Sequence, residues 1–377
     1  MERFTYNRTL YNNIKNWLFK GKVIILYGPR QVGKTTLVRR IISDHPASVY
    51  LNCEKPEVID LLLSESPERI ISYTGKTKLI VFDEAQKIKN IGTILKLLHD
   101  TYPEKQYIAT GSSSFELAQK VSEPLTGRNI KYFMFPLTLN ELKQHYNLID
   151  LKGKISDILR FGTYPDIIDR PENEKKLLLD ELTGDYLFRD LLQFENIKHP
   201  DILLKLLKAI ALQLGNQVSY RELSNLLKIN IETVQRYIQL LEKSFVLFSL
   251  PSFSRNLRNE ISRSRKLYFY DLGIRNSVIR NYAPLENRND TGALWENFCI
   301  LSRMQKHQYR GKQVSIYFWR SYRQKEIDLI EEFDGKLTAF EFKYSKKNVK
   351  PPKQFTDAYP ETEFFVVNND SFIDFLL

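Results

Sequence analysis

Gly28-Pro29-Arg30-Gln31-Val32-Gly33-Lys34-Thr35 is the stretch from which the rest of this chain is read. It fits G-x-x-x-x-G-K-[ST], the phosphate-binding loop, a motif that counts only between a strand and a helix. Both flanks meet that condition. Val23-Ile24-Ile25-Leu26-Tyr27 is a continuous apolar run of the kind a buried parallel strand shows. Thr36-Leu37-Val38-Arg39-Arg40-Ile41-Ile42 reads as the helix. The glycines let backbone N–H groups converge on phosphate oxygens. Lys34 sets an ammonium against the β- and γ-phosphates, and Thr35 offers a hydroxyl to Mg²⁺. The positive end of the following helix points at the anion. Gly28, Pro29, Arg30, Gln31, Val32, Gly33, Lys34, Thr35 and Thr36 are the candidate ATP-contacting residues.

A second half of a nucleotide site follows 49 residues after Lys34, in Lys78-Leu79-Ile80-Val81-Phe82-Asp83-Glu84-Ala85-Gln86. A strand here carries Asp83 to its carboxyl end, where open α/β sheets bind ligands. Asp83 is the expected partner of Thr35 on Mg²⁺. Glu84 is the expected base that orients and deprotonates the attacking water. Tyr107-Ile108-Ala109-Thr110-Gly111 reads as a further strand ending at Ser112 and Ser113. Ser112 is a candidate γ-phosphate sensor, with a helix N-cap as the rival reading. Arg128, in Thr126-Gly127-Arg128, is a candidate for stabilising transition-state charge, with a surface ion pair as its rival. Before the loop, Leu10, Ile14, Leu18 and Phe19 are spaced to share a helical face.

Gly28–Thr36, Val81–Gln86, Thr110–Ser113, Thr126–Arg128 and Phe135-Pro136-Leu137-Thr138-Leu139-Asn140-Glu141-Leu142 together resemble the bacterial and archaeal AAA+ ATPases that carry a C-terminal domain of unknown function. Phe161-Gly162-Thr163-Tyr164-Pro165 resembles that family's Gly-Tyr-Pro segment, with Thr163 where glycine is commoner. The resemblance implies ATP hydrolysis with Mg²⁺, and a small helical lid over residues 141–200. AAA+ relatives often form rings, so an oligomer is compatible with it.

The second half of the chain reads differently. Ser219 and Glu222 have the spacing of a capping box. Asn230 caps a helix whose Val234, Tyr237, Ile238 and Leu241 form one apolar stripe. Two strands follow, Val246–Leu250 and Leu267–Asp271, around a loop that holds Arg255, Arg258, Arg263, Arg265 and Lys266. Helix–turn–helix, strand, basic loop, strand is a winged-helix pattern, whose second helix would enter a major groove. Winged helices also serve as protein-interaction modules. Beyond residue 290, Asp328, Glu341 and Lys343 make a D…E-x-K arrangement on strands, with Glu296 on a preceding helix. Such carboxylates hold Mg²⁺ and activate water for phosphodiester attack, with the lysine stabilising negative charge. This resembles the restriction-endonuclease-like fold. A fold of that kind that has lost its activity is the alternative.

Composition sets the frame. The 377 residues are too many for one ordinary core. Two cysteines, Cys53 and Cys299, exclude a disulfide scaffold and fit a reducing cytoplasm. No apolar run approaches the length of a membrane span, and the first residues lack a signal-peptide core. Net charge is +11, and residues 251–281 and 303–350 carry all of that excess, which points to nucleic acid or another polyanion. The expected architecture is α/β. It comprises an AAA+ core with a parallel sheet (1–140), a helical lid (141–200), a winged helix (201–285) and a restriction-endonuclease-like α/β domain (286–377). The expected protein hydrolyses ATP and associates with DNA. A nucleotide-dependent switch that binds a protein partner is the alternative, and so is a nuclease gated by ATP.

Overall fold

Val23–Tyr27 is strand β1, an interior strand of the sheet that carries the phosphate loop. The computed structural model describes residues 6–111, 124–185, 199–254, 265–345 and 348–377. Ser112, Ser113, the loop arginines Arg255, Arg258 and Arg263, and Tyr186–Asp190 lie outside them. The chain divides into two units, Met1–Leu137 with Lys243–Phe245, and Thr138–Glu242 with Val246–Leu377.

In the first unit, β1 is joined by β2 (Ser48–Asn52), β3 (Leu79–Asp83), β4 (Gln106–Gly111) and β5 (Asn129–Phe133). The order is β2-β3-β4-β1-β5, with every pairing parallel. Parallel strands need crossovers that cover both faces, so their sequences are apolar throughout rather than alternating. Ile24, Ile25 and Leu26 of β1 and Ile80, Val81 and Phe82 of β3 are accordingly fully buried. Helices α1 (Thr9–Lys15), α2 (Lys34–Ser43), α3 (Pro56–Leu63), α4 (Pro67–Thr74) and α5 (Ile91–Thr101) complete the unit. Leu10, Ile14 and Leu18 are buried as the spacing predicts, but Phe19 is not. Helix α1 has ended by then, and Phe19 sits in the left-handed region at φ 58°, 47% exposed.

The second unit begins with short helices, Leu139–Leu142, Leu148–Gly153 and Ile155–Phe161, then Glu172–Asp185. Helix Pro200–Leu212 leads to β6 (Gln217–Val218), helices Tyr220–Leu227 and Ile231–Lys243, β7 (Leu247–Pro251) and β8 (Arg265–Phe269). These three strands form an antiparallel sheet in the order β6-β8-β7. Ser219 accepts from the Glu222 amide at 3.2 Å and Asn230 from the Thr233 amide at 2.8 Å, so both expected caps are present. After helices Leu272–Val278 and Thr291–Tyr309 come β9 (Ser315–Arg320), β10 (Glu326–Phe333) and β11 (Lys336–Phe342), an antiparallel meander. Helix Lys353–Ala358 then returns the chain to β12 (Glu363–Val367), parallel to β11, in a sheet of order β12-β11-β10-β9.

Gly162 shows why the Phe161–Pro165 segment has its composition. Its φ is 72°, and a Cβ there would lie 2.0 Å from Asp271 Oδ1. Asp271 needs that space because it is buried and accepts N–H groups from Thr163 at 2.8 Å and Ile274 at 3.1 Å. Burial outweighs those amides and pushes its carboxyl up to about 7. From the other side, a Cβ on Gly273 would meet the Phe161 carbonyl oxygen at 2.2 Å. Gly162→Ala should therefore cost about 2–4 kcal/mol through overpacking and backbone strain. Gly184→Ala, in open space on a helix, should be neutral or stabilising by up to about 1 kcal/mol. Paired denaturant melts check both, and equal stability of the two variants would contradict the packing described.

Candidate functional site

The loop between β1 and α2 is shaped by what it cannot accommodate. Gly28 has φ 154°, and a Cβ on it would meet the Met134 carbonyl oxygen at 2.3 Å. Gly33 has φ 97° as the residue that caps α2. Gln31 stands between them at φ 58° and is exposed, whereas Pro29 and Val32 are buried. Arg30 is half-buried and Thr36 faces solvent. Lys34 is 6% exposed and turns back over the loop, donating to the carbonyls of Gly28 at 2.9 Å and Pro29 at 2.7 Å.

Asp83, at the end of β3, is 3% exposed and collects hydroxyls. Thr35 Oγ1 donates to its Oδ2 at 2.9 Å. Tyr50, from β2, donates to the same oxygen, and Thr110, from β4, donates to Oδ1. The Mg²⁺ that the sequence implies fits this arrangement. Thr35 and Asp83 are hard oxygen donors brought side by side, and Mg²⁺ takes one or two carboxylates beside phosphate and water. Glu84 follows in the left-handed region at φ 55°. Its N–H donates to Thr110 Oγ1 at 3.2 Å, and its carboxylate accepts from Gln86 Nε2 at 2.5 Å. A non-glycine residue held there stores about 1–3 kcal/mol of strain, as active-site residues often do. Burial, reinforced by Asp83 and Glu84, pushes the Cys53 thiol up to about 12. It stays protonated and is no nucleophile.

Arg128 is not brought to this site. It immediately precedes β5, whose Asn129 pairs with Val23 at the amino end of β1. The phosphate loop follows the opposite end of β1, and the strand's five residues span about 17 Å. Arg128 Nε instead meets Asp100 at 2.8 Å, with both side chains about two-fifths exposed. Such pairs contribute about 0–1 kcal/mol. A parallel strand must start at the edge remote from the ligand, so an arginine just ahead of one cannot reach phosphate in its own chain.

Arg8 was missed in the sequence. It is 9% exposed, and its Nη1 and Nη2 donate to the carbonyls of Val32 and Phe135, each at 2.6 Å. A trans peptide sets C=O and N–H in opposite directions. By gripping the Val32 carbonyl, Arg8 therefore fixes that peptide plane, with the Gly33 N–H turned away from the guanidinium. Tyr50 and Thr110 were missed as partners of Asp83, though Thr110 ends a strand beside β3, where such a role is natural.

In the second unit, Asp328 of β10 is 6% exposed, and its Oδ2 accepts the Phe342 N–H at 2.8 Å. Lys343 Nζ lies 2.6 Å from Glu341 Oε1 and 3.9 Å from Asp328 Oδ2. The expected Glu296, Asp328, Glu341 and Lys343 thus fall in one neighbourhood. Glu326, two residues before Asp328 and so on the same strand face, joins them. Oxygens of Glu296, Glu326 and Asp328 lie within 4.8 Å of one another. Burial first, then Glu296 and Glu341, hold the Asp328 carboxyl well above its usual range. Burial likewise raises Glu341.

Residues 20–143 match a family model described as an AAA domain. Residues 152–285 and 291–375 match two described as domains of unknown function, DUF8612 and DUF4143. The amino-terminal unit is an AAA-type P-loop domain of ATPase-like fold. Among particular relatives, an uncharacterized protein of Methanocaldococcus jannaschii is 30% identical over 287 residues, covering 70% of this chain and 64% of that one. The chain thus spans just under two thirds of that relative. An uncharacterized protein of Mycobacterium tuberculosis is 28% identical over 336 residues, 88% of this chain and 72% of that one. The solved Walker-type ATPase of Pyrococcus abyssi shares the fold, at 16% identity and a TM-score of 0.51 over 73% of this chain and 96% of its own. No helix among the described residues is long and apolar enough to cross a membrane.

Replacing Arg8 by Ala removes two charge-assisted hydrogen bonds, each worth about 1.5–3 kcal/mol when intact. Part of that loss should appear as weaker nucleotide binding, roughly tenfold for about 1.4 kcal/mol. Titration with a fluorescent ATP analogue checks it. Unchanged affinity would mean that the arginine only anchors the amino-terminal segment.

Proposed function

We propose that the protein binds and hydrolyses ATP through the loop at Gly28–Thr35 and the acidic pair Asp83 and Glu84, and that it uses this cycle in association with DNA. The observation that carries the first part is the hydrogen bond from Thr35 to Asp83 at 2.9 Å, which places the two expected Mg²⁺ holders together. Bound there, Mg²⁺ would neutralise charge on the β- and γ-phosphates. Lys34 would leave the Gly28 and Pro29 carbonyls for phosphate oxygens. Glu84 would take the proton of the attacking water, held in place by Gln86. The Gly33 N–H and the first amides of α2 would bind the phosphates.

The DNA association is supported by residues 201–285. Their helix–strand–helix–helix–strand–strand order, with the sheet β6-β8-β7, suits a winged helix. Val234, Tyr237, Ile238 and Leu241 are buried, while Gln235, Arg236 and Gln239 face outward, as a groove-reading helix requires. The meander β9-β10-β11 with parallel β12 after a helix suits a restriction-endonuclease-like domain over 286–377, and a helical lid is assigned to 141–200. The alternative, a switch for a protein partner with an inert nuclease fold, draws on one observation. Lys266, a buried lysine, pairs with two of the carboxylates that would hold the metal.

Lys34→Ala should abolish detectable ATP binding, and Glu84→Gln should bind ATP yet hydrolyse it at least about a hundredfold more slowly, a general base being worth that much. Equilibrium binding and phosphate release measure the two effects. Full turnover by Glu84→Gln would overturn the assignment of the base. Adding duplex and single-stranded DNA to the same assay tests the second part. ATP turnover and DNA retention both indifferent to DNA would favour the protein-partner switch.

A further inference from the structure

The nuclease-like reading of residues 286–377 asks for a divalent cation among the carboxylates of Glu296, Asp328 and Glu341. The structure places an ammonium there. Lys266, on β8, is 1% exposed, and its Nζ is 2.8 Å from Glu296 Oε1 and paired with Glu326 Oε1. Tyr268, two residues along the same strand face, donates its hydroxyl to the same Glu296 oxygen at 2.5 Å. Arg320 Nε lies 3.6 Å from Glu326 Oε2. Lys343 takes Glu341, and the Phe342 amide takes Asp328.

Four carboxylates therefore face three cationic side chains. At least one oxygen of each of these carboxylates is taken by an N–H or O–H donor. Mg²⁺ needs a near-octahedral oxygen shell at about 2.0–2.1 Å. An ion at that distance from both Glu296 and Glu326 would press against Nζ of Lys266, charge against like charge. Lys266 thus stands against a metal that uses Glu296, while Asp328 and Glu341 are already engaged by the Phe342 amide and Lys343.

We infer that Lys266 is the resident cation of this cluster, standing where a nuclease would hold its metal. The ammonium ties β8 to helix Thr291–Tyr309 and to β10. Around it, the Phe253 N–H donates to the Phe318 carbonyl at 2.6 Å, and Arg320 Nη1 donates to Gln217 Oε1 at 3.0 Å. The charged cluster serves as a seam between the three-stranded and four-stranded sheets, and residues 286–377 do not cut phosphodiesters. The inference rests on the nuclease-like reading only for the expectation of a metal, and it is independent of ATP binding.

Mn²⁺ titration of the full chain without nucleotide, followed by electron paramagnetic resonance, tests it. The comparison is among wild type, Asp328→Asn, Lys266→Met and the double variant Lys266→Met with Asp328→Asn. Wild type and Asp328→Asn should bind Mn²⁺ alike, with nothing at the cluster. Lys266→Met should gain about one Mn²⁺ per chain, completed by carboxylates and water, and the double variant should lose it. Wild-type binding that Asp328→Asn abolishes would overturn the inference. So would a folded Lys266→Met that gains no ion. Should Lys266→Met not fold, Lys266→Gln serves in its place, and the first comparison decides on its own. ATP-analogue binding, followed in parallel, separates a failure here from a failure of the nucleotide reading.

Discussion

The carboxylate of Asp83 is the point on which the first unit depends. A buried charge must be paired or hydrogen-bonded, and here hydroxyls from α2, β2 and β4 do that work. Each comes from a different element, so the carboxylate fixes the ends of neighbouring strands relative to the phosphate loop. The backbone follows the same logic. Gly28 closes against Met134 after β5, Arg8 joins Val32 to Phe135, and Glu84 is held in a strained conformation by its neighbours. A cradle for phosphate requires N–H groups that point inward before the ligand arrives. These contacts orient them.

The parts of this site legible in the sequence are those whose chemistry is local. The glycines, Lys34 and Thr35 sit within eight residues, and Asp83 and Glu84 end an apolar strand. Arg8, Tyr50 and Thr110 escaped because their roles depend on which strands become neighbours, and spacing along the chain does not encode that. For Arg128 the sequence left two readings open, a phosphate contact and a surface ion pair, and the direction of the parallel strand that follows it decides for the ion pair with Asp100.

In the second unit, period-2 alternation was enough to align Glu341 with Lys343, and it applies equally to Glu326 and Asp328. The role of Lys266 was hidden for a different reason. In the sequence it reads as one more basic residue after the arginines of a loop. In the structure it is the first inward-facing position of β8, and the charge of the cluster is balanced from a strand some sixty residues away from Asp328. Arg265 and Lys266 are neighbours in that run, yet the first is half-buried and the second fully buried. The charge pattern alone cannot tell them apart.

The strand order has a kinetic side as well. Strand β1 is made early, but its neighbours are β4 and β5, with Ile24 against Ile108 and Val23 against Asn129. Until those later segments leave the ribosome, β1 has two bare edges and the loop after it has no walls. Partners this distant in sequence close slowly, and exposed strand edges invite wrong pairing meanwhile. A newly made chain must therefore wait through more than a hundred residues of synthesis before its nucleotide can help it fold.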